Sequence, residues 1–159
     1  MMLGPTTMKG LSLRILKAVE KRGEVSLAEA IQLATPCHGS HVDQYPLALL
    51  IEDDYLGLTI HHNPPTGAEE MREFSLATML HMFSLPKNED GVIHYLGIRS
   101  SGGIKPENER VFLKAKGALY LDEHRKKFWD RLWSFLLGFS AGLLAAIAAA
   151  WVKGQLKLP

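Results

Sequence analysis

The sequence is poor in cysteine and in net charge, and both shortages exclude classes of protein. One cysteine, Cys37, occurs among 159 residues, so the chain is not a disulfide-stapled secreted scaffold. A formal net charge of +1, with 47% hydrophobic and 22% charged residues, excludes an intrinsically disordered or collagen-like chain. The length is that of one ordinary domain with its own core.

The sequence also lacks a charged, apolar leader at its start and lacks charged residues over a long run near its other end. The opening sequence MMLGPTTMKG has no charged segment leading into an apolar stretch, so it does not predict a secretory signal peptide. Near the other end, residues 132–152 read LWSFLLGFSAGLLAAIAAAWV, 21 residues without a charge. As a helix, this run reaches about 30 Å, the thickness of the hydrocarbon core of a bilayer. We therefore expect a single transmembrane helix over residues 132–152 and a short tail over 153–159, in preference to a buried helix of a soluble core.

The flanks of this run predict its membrane interfaces and its orientation. Tryptophans stand near both ends, and more basic residues precede the run than follow it. Aromatic belts and a cytoplasmic excess of Lys and Arg are typical of such helices. We expect residues 1–124 to be a cytoplasmic domain and residues 125–131 a basic juxtamembrane segment on the lipid bilayer. The predicted interface residues are Arg125, Lys126, Lys127, Trp129, Arg131, Trp133, Trp151 and Lys153.

Small residues collect on one side of the predicted transmembrane helix. At about 100° per residue, they lie opposite the Leu, Phe and Ile side chains, and Gly138 with Gly142 forms a GxxxG pair. Such a face lets two helix backbones approach closely in lipid, which favours a homo-oligomer; the alternative is that the small residues face lipid. The predicted packing residues are Ser134, Gly138, Ala141, Gly142, Ala145 and Ala149.

The N-terminal part shows alternating helix and strand signals. Apolar spacing predicts a helix over 10–22 that ends at Lys21-Arg22-Gly23. A short strand at 24–25 follows, and Ser26 with Glu29 has the capping-box spacing of a second helix to about Ala34. The segment from Thr35 to His41 is predicted to be a turn. Pro46 suits a first helical turn, so a third helix is expected over 47–54, then a strand over 55–60.

The order of these elements resembles the winged helix-turn-helix superfamily. The resemblance rests on LLIEDDYLGLTI, residues 49–60, and on VFLKAKGALYLDE, in which Leu113, Gly117, Tyr120 and Leu121 match an L-x-x-x-G-x-x-Y-L pattern. It covers about residues 11–60 and 111–124. The resemblance implies an α+β fold whose third helix enters the major groove of DNA. An insertion of about 61–110 departs from the family, and in it we expect a helix over 68–85 and one strand, VIHYLGIR.

Missing basic residues argue against nucleic acid as a partner. Residues 1–124 hold twelve Lys and Arg against sixteen Asp and Glu, a net charge of −4. Between Arg22 and Arg72 there is no Lys or Arg, and the third helix ends in Glu52, Asp53 and Asp54. Because DNA binding draws affinity from neutralised phosphates, we interpret the domain as a protein-interaction and regulatory module with an unidentified protein partner.

Histidines are the remaining candidates for chemistry. The turn with Cys37, His38 and His41, together with His61 and His62, could supply metal ligands, but the spacing is not a zinc signature. We predict no metal, no cofactor and no catalytic residue. Two alternatives stay open: a membrane-tethered DNA-binding transcription regulator, and a metal-dependent enzyme that uses the Cys37 and histidine cluster.

Overall fold

The computed structural model describes residues 10–34, 37–60, 71–86, 91–100 and 103–155, with side chains as far as residue 151. The chain divides into two compact units, Met1–Leu119 and Tyr120–Pro159. The first unit mixes helices with two small antiparallel sheets, and the last helix is long and apolar. The α+β class predicted from the sequence is therefore confirmed.

The described residues form helices and short strands. In chain order they are α1 (Gly10–Arg22), β1 (Glu24–Ser26), α2 (Leu27–Leu33), a 3-10 helix (His41–Gln44), α3 (Tyr45–Glu52), β2 (Leu56–Leu58), α4 (Arg72–Ser84), β3 (Ile93–Tyr95), β4 (Ile98–Ser100), β5 (Arg110–Leu113) and α5 (Ala115–Gln155).

The larger sheet has the strand order β1-β5-β2, with β5 antiparallel to both neighbours. Val111 of β5 stands opposite Val25 on one side and Leu58 on the other. The core is built from apolar side chains of this sheet and of α1 to α4. Its largest fully buried members include Ile15, Leu16, Val19, Leu27, Leu47, Leu56, Leu76 and Leu80.

Local sequence signals placed the first elements correctly. Helix α1 has the predicted bounds, and Gly23 follows it with φ +80°, the left-handed conformation that ends many helices. The Ser26 hydroxyl accepts the Glu29 amide at 3.2 Å, so the predicted N-cap of α2 is confirmed. Helix α3 begins at Tyr45, two residues before the predicted start, because Pro46 occupies its first turn.

The insertion differs from its prediction. Helix α4 is confirmed over Arg72–Ser84, while its predicted start at Ala68 lies outside the described residues. The single strand expected over VIHYLGIR is wrong, because Leu96 and Gly97 both adopt positive φ, 48° and 77°, and turn the chain back on itself. Positive φ at both central residues is the two-residue turn that joins hairpin strands. Strands β3 and β4 therefore form a hairpin, with Ile93 opposite Ser100.

The second unit is formed by most of α5. Of the helices in the described residues, α5 is the one long and apolar enough to cross a membrane. None of its most apolar stretch is buried, whereas an apolar helix in the core of a soluble domain is mostly buried. The predicted span, residues 132–152, lies inside α5, which is compatible with a single-pass membrane anchor.

Candidate functional site

A buried carboxylate organises the turn before α3. Asp43, in the 3-10 helix, is 7% exposed, and its oxygens accept the backbone N–H groups of Cys37 and His38 at 3.0 Å and of Gly39 at 2.8 Å. Burial alone raises the pKa of Asp43, but these hydrogen bonds and one from His38 outweigh it and hold the pKa well below its usual range. Asp43 thus stays ionised and fixes the position of the 3-10 helix.

Beside Asp43 lies a group of rings that we call the aromatic cluster: His41, Tyr45, Phe74, His81 and Tyr95. The ring centroid of His41 is 5.0 Å from that of Phe74, 5.9 Å from that of Tyr45 and 6.0 Å from that of Tyr95. His81 meets Tyr95 at 4.6 Å. Every pair is edge-on, the arrangement that ring quadrupoles favour. The cluster joins the 3-10 helix, α3, α4 and the hairpin.

Tyr95 is the member that ties the hairpin to the helices. Its hydroxyl oxygen accepts the backbone N–H of His41 at 3.1 Å and lies 3.0 Å from His41 Nδ1. His81 is 6% exposed. Burial first, and then the nearby His41, lower the pKa of His81, and Asp43 opposes them. The imidazole of His81 therefore favours its neutral form inside the domain.

Two polar side chains of the 3-10 helix and α4 are buried. The Gln44 side-chain oxygen and the Thr78 hydroxyl are both buried, and neither has a hydrogen-bond partner among the described residues. Gln44 ends the 3-10 helix and Thr78 lies on α4, two elements that pack against each other. A buried polar atom without a partner costs about 1–3 kcal/mol.

Apolar side chains are exposed around the aromatic cluster. Phe74 is 38% exposed and Leu96, at the tip of the hairpin, is 61% exposed. Val42 follows His41 in the chain and is also exposed. We call Val42, Phe74, Tyr95 and Leu96 the apolar patch. His41 contacts the rings of Phe74 and Tyr95, and Val42 and Leu96 are the chain neighbours of His41 and Tyr95. Exposed apolar surface with aromatic members is typical of protein-binding sites.

The C-terminal end of α3 carries paired charges. Glu52 forms an ion pair with Arg72 at 3.0 Å, and Asp54 forms one with Lys114 at 2.6 Å. The hydrogen bond and charge of Lys114 lower the pKa of Asp54. These four residues line an open groove of about 400 Å³ together with Ile51, Leu56, Leu58 and Ile60. Each basic group of the groove already has an acidic partner, so the groove is not a cationic surface for phosphate.

The candidate metal ligands do not converge in the described residues. Cys37 is exposed, the His38 ring bonds Asp43 at 3.0 Å, and His41 belongs to the aromatic cluster. His61 and His62 lie outside the described residues. Within the described ranges there is no group of three or more His, Cys, Asp or Glu side chains placed to hold a metal ion.

The predicted membrane residues lie on α5 with their side chains exposed. An added Cβ at Gly138 or Gly142 would meet nothing within 4 Å, so the small-residue face is open. In the juxtamembrane segment, Arg125 pairs with Asp122 and Lys127 pairs with Glu123 within the helix. The side chain of Lys153 lies outside the described residues. The exposed residues are Arg125, Lys126, Lys127, Trp129, Arg131, Trp133, Ser134, Gly138, Ala141, Gly142, Ala145, Ala149 and Trp151.

Sequence reasoning missed the residues that form the aromatic cluster and its support. Phe74 and His81 lie seven residues apart on one face of α4, but Tyr95 lies in a separate strand, and no spacing rule connects it with them or with His41. Asp43 accepts amides that precede it by four to six residues, whereas the usual Asx turn joins an Asp to an amide that follows it, so no local rule identified its role.

Comparison of the chain with protein-family models, with curated proteins and with solved structures gave no match.

Proposed function

We propose that the protein is a single-pass membrane protein whose N-terminal domain is a cytoplasmic, winged-helix-like module that binds another protein through the apolar patch. The exposed apolar patch around His41 is the observation that carries this proposal. Self-association through α5 brings copies of the module together and raises their local concentration. Weak contacts of the module then become effective.

The topology supports the winged-helix part of the proposal. The order helix, strand, helix, helix, strand, followed after the insertion by a strand that leads into a helix, is the one that the resemblance to winged helices implies. Strand β5 pairs with both β1 and β2. In that comparison β2 and β5 correspond to the wing strands, and α4 with the hairpin β3–β4 is inserted between them. The insertion supplies Phe74, Tyr95 and Leu96, three of the four residues of the apolar patch.

Charge supports a protein partner over a nucleic acid. In the winged-helix comparison α3 is the recognition helix, and it holds no Lys or Arg. The nearest basic side chains, Arg72 and Lys114, are engaged by Glu52 and Asp54. Lys116 donates to the Asp53 carbonyl at 2.6 Å and lies over the Tyr55 ring. Phosphate contacts at this end would require the loss of those pairings.

The size of the apolar side chains supports a binding role. Aromatic residues dominate binding energy at protein interfaces because they bury large areas with few rotatable bonds. Phe74 and Tyr95 are held by their contacts with His41, so little conformational entropy is lost when a partner covers them.

The patch is tested by comparing full-length variants in mild detergent. Phe74→Ser removes a ring from the apolar patch, whereas Ile104→Ser removes a side chain of equal exposure, 37% against 38%, that lies outside it. Proteins that co-purify with the wild-type chain and with Ile104→Ser should be lost with Phe74→Ser. Equal recovery with Phe74→Ser, in a variant that is still folded, contradicts the role of the patch.

Self-association of α5 has a separate test. Gly138→Ile and Gly142→Ile fill the open small-residue face, while Leu144→Ile changes the opposite face and serves as the control. In a membrane reporter of helix association, we expect a lower signal from each glycine variant and an unchanged signal from the control. An unchanged signal from both glycine variants would show that this face does not pack.

A further inference from the structure

Strand β4 is the outer strand of the hairpin, and its second edge is open. Among the described residues β4 pairs with β3 alone, while Tyr95 of β3 contacts His81 of α4. Ile98 of β4 is 48% exposed, and Arg99 is exposed as well. Strand β2, at one edge of the larger sheet, differs because its Leu56 is completely buried. Another chain can therefore reach the edge of β4 more readily than that of β2.

The pairing of the hairpin directs the backbone groups of Arg99 toward this open edge. Tyr95 and Ile98 close the two-residue turn, so they are a hydrogen-bonded pair of the antiparallel ladder. The next pair, His94 and Arg99, is therefore a non-hydrogen-bonded one. The N–H and the C=O of Arg99 point away from β3, and a further antiparallel strand can bond both groups.

The side chains on the two faces of β4 differ in character. Ile98 lies on the same face as Tyr95, beside the apolar patch, and Arg99 lies on the opposite face with His94. None of the ion pairs formed by the described residues includes Arg99. A strand added to β4 places one residue opposite Arg99 and the neighbours of that residue on the face of Ile98.

The charge of Arg99 distinguishes between two occupants of the edge. A second copy that added its own β4 antiparallel would set one Arg99 opposite the other, and like charges in directly opposite positions destabilise a pair of strands. A carboxylate opposite Arg99 stabilises the pair instead. The edge therefore favours an acidic strand from a different protein.

We propose that the open edge of β4 binds an extended segment of a partner protein as an added antiparallel strand. The segment carries an acidic residue opposite Arg99 and an apolar residue on each side of it. Backbone hydrogen bonds to Arg99 supply affinity, and the alternate side chains supply specificity. This inference rests on the proposed function, because it names the kind of segment that covers Ile98 and the adjoining apolar patch.

The test is NMR of the full-length chain in detergent micelles, titrated with the synthetic peptides STVEVTS and STVKVTS. The glutamate peptide should shift the Arg99 amide signal and bind about three- to tenfold more tightly than the lysine peptide. Arg99→Glu should reverse this preference. Lys105→Glu changes an exposed basic residue outside the hairpin and should leave the preference as it is in the wild type.

Methylation of the peptide backbone separates strand addition from attraction between charges. A methyl group on the glutamate nitrogen removes the N–H that the Arg99 carbonyl oxygen accepts, and it should weaken binding about tenfold. A methyl group on the nitrogen of the following valine is the matched control, because that N–H points away from β4. The control peptide should bind as the unmethylated one does.

The inference is wrong if neither peptide shifts the Arg99 amide signal, or if the two methylated peptides bind equally. Protection of the Arg99 amide that grows with protein concentration in the absence of peptide would assign the edge to a second copy, and would also overturn it. Shifts confined to Phe74 and Leu96 would refute strand addition but leave the apolar patch as a binding site. Failure of the patch itself is detected separately, by co-purification with Phe74→Ser.

Discussion

Gly117, in the first turn of α5, lies so close to Tyr55 that any side chain there would overlap the Tyr55 carbonyl oxygen. The same carbonyl accepts the Lys114 amide at 3.1 Å, which fixes the chain as it passes from β5 into α5. The fold therefore requires glycine at this position of the L-x-x-x-G-x-x-Y-L pattern, because a larger residue would clash with Tyr55.

Gly117→Ala should destabilise the domain. Its methyl group overlaps both the Tyr55 carbonyl and the Leu113 side chain, so both must move, and overpacking of this kind costs about 1–3 kcal/mol. Calorimetry of the full-length chain should show a lower Tm for Gly117→Ala. Gly103→Ala is the matched control, since a Cβ at Gly103 meets nothing within 4 Å. Equal Tm values for the two variants would contradict the steric argument.

Asp43→Asn should cost stability at neutral pH and lose its effect in acid. The folded pKa of Asp43 is lowered from the ordinary 3.8, so the carboxylate stabilises the fold above that pH and ceases to do so as the pH falls further. Loss of the charge should cost about 2–3 kcal/mol. The free energies of unfolding of wild type and variant, measured from pH 7 to 2, should differ by a constant amount down to about pH 5, and the difference should shrink progressively below about pH 4, with part of it remaining at pH 3. A difference that stays constant from pH 7 to pH 2 would assign the effect to something other than the charge.

Leu96→Asn should stabilise the hairpin while weakening partner binding. Leu96 has a φ of 48°, a conformation that costs a β- or γ-branched residue about 1–2 kcal/mol and that Asn adopts readily. The substitution also removes the most exposed apolar side chain of the apolar patch. Gly97→Ala, at φ 77°, should destabilise the same turn. Hydrogen exchange of residues 91–100 and partner recovery report the two effects separately, and unchanged recovery with Leu96→Asn would exclude the hairpin tip from the interface.

Elements governed by neighbouring residues could be predicted from the sequence, and elements governed by distant contacts could not. The end of α1 at Lys21, Arg22 and Gly23 and the cap of α2 at Ser26 are local, and both are confirmed. The turn at Leu96 opposes the preference of leucine, and Tyr95 beside it bonds His41, 54 residues away. The residues next to Tyr95 in the sequence do not indicate a contact with a residue so far away. The sequence therefore predicted one strand over VIHYLGIR.

The same distinction applies to the candidate site. The long uncharged run of α5 is a property of composition, so a candidate membrane helix was visible in the sequence. The aromatic cluster depends on the packing of α4 and the hairpin against the 3-10 helix. Its histidines were considered only as metal ligands, because sequence spacing brought Cys37, His38 and His41 together and left His81 apart.

The DNA-binding alternative makes a distinct prediction about salt. A protein that neutralises several phosphates loses affinity steeply as salt rises, with a slope of about −0.9 in log affinity against log salt for each phosphate. With its basic groups at α3 paired, the domain should bind duplex DNA weakly and with a slope near zero. The basic residues of the juxtamembrane segment are a possible source of non-specific binding, so the full-length chain with Arg125→Gln, Lys126→Gln and Lys127→Gln is the control in detergent. Strong retardation of DNA that survives in this variant and disappears with added salt would favour a DNA-binding regulator over the protein-interaction module.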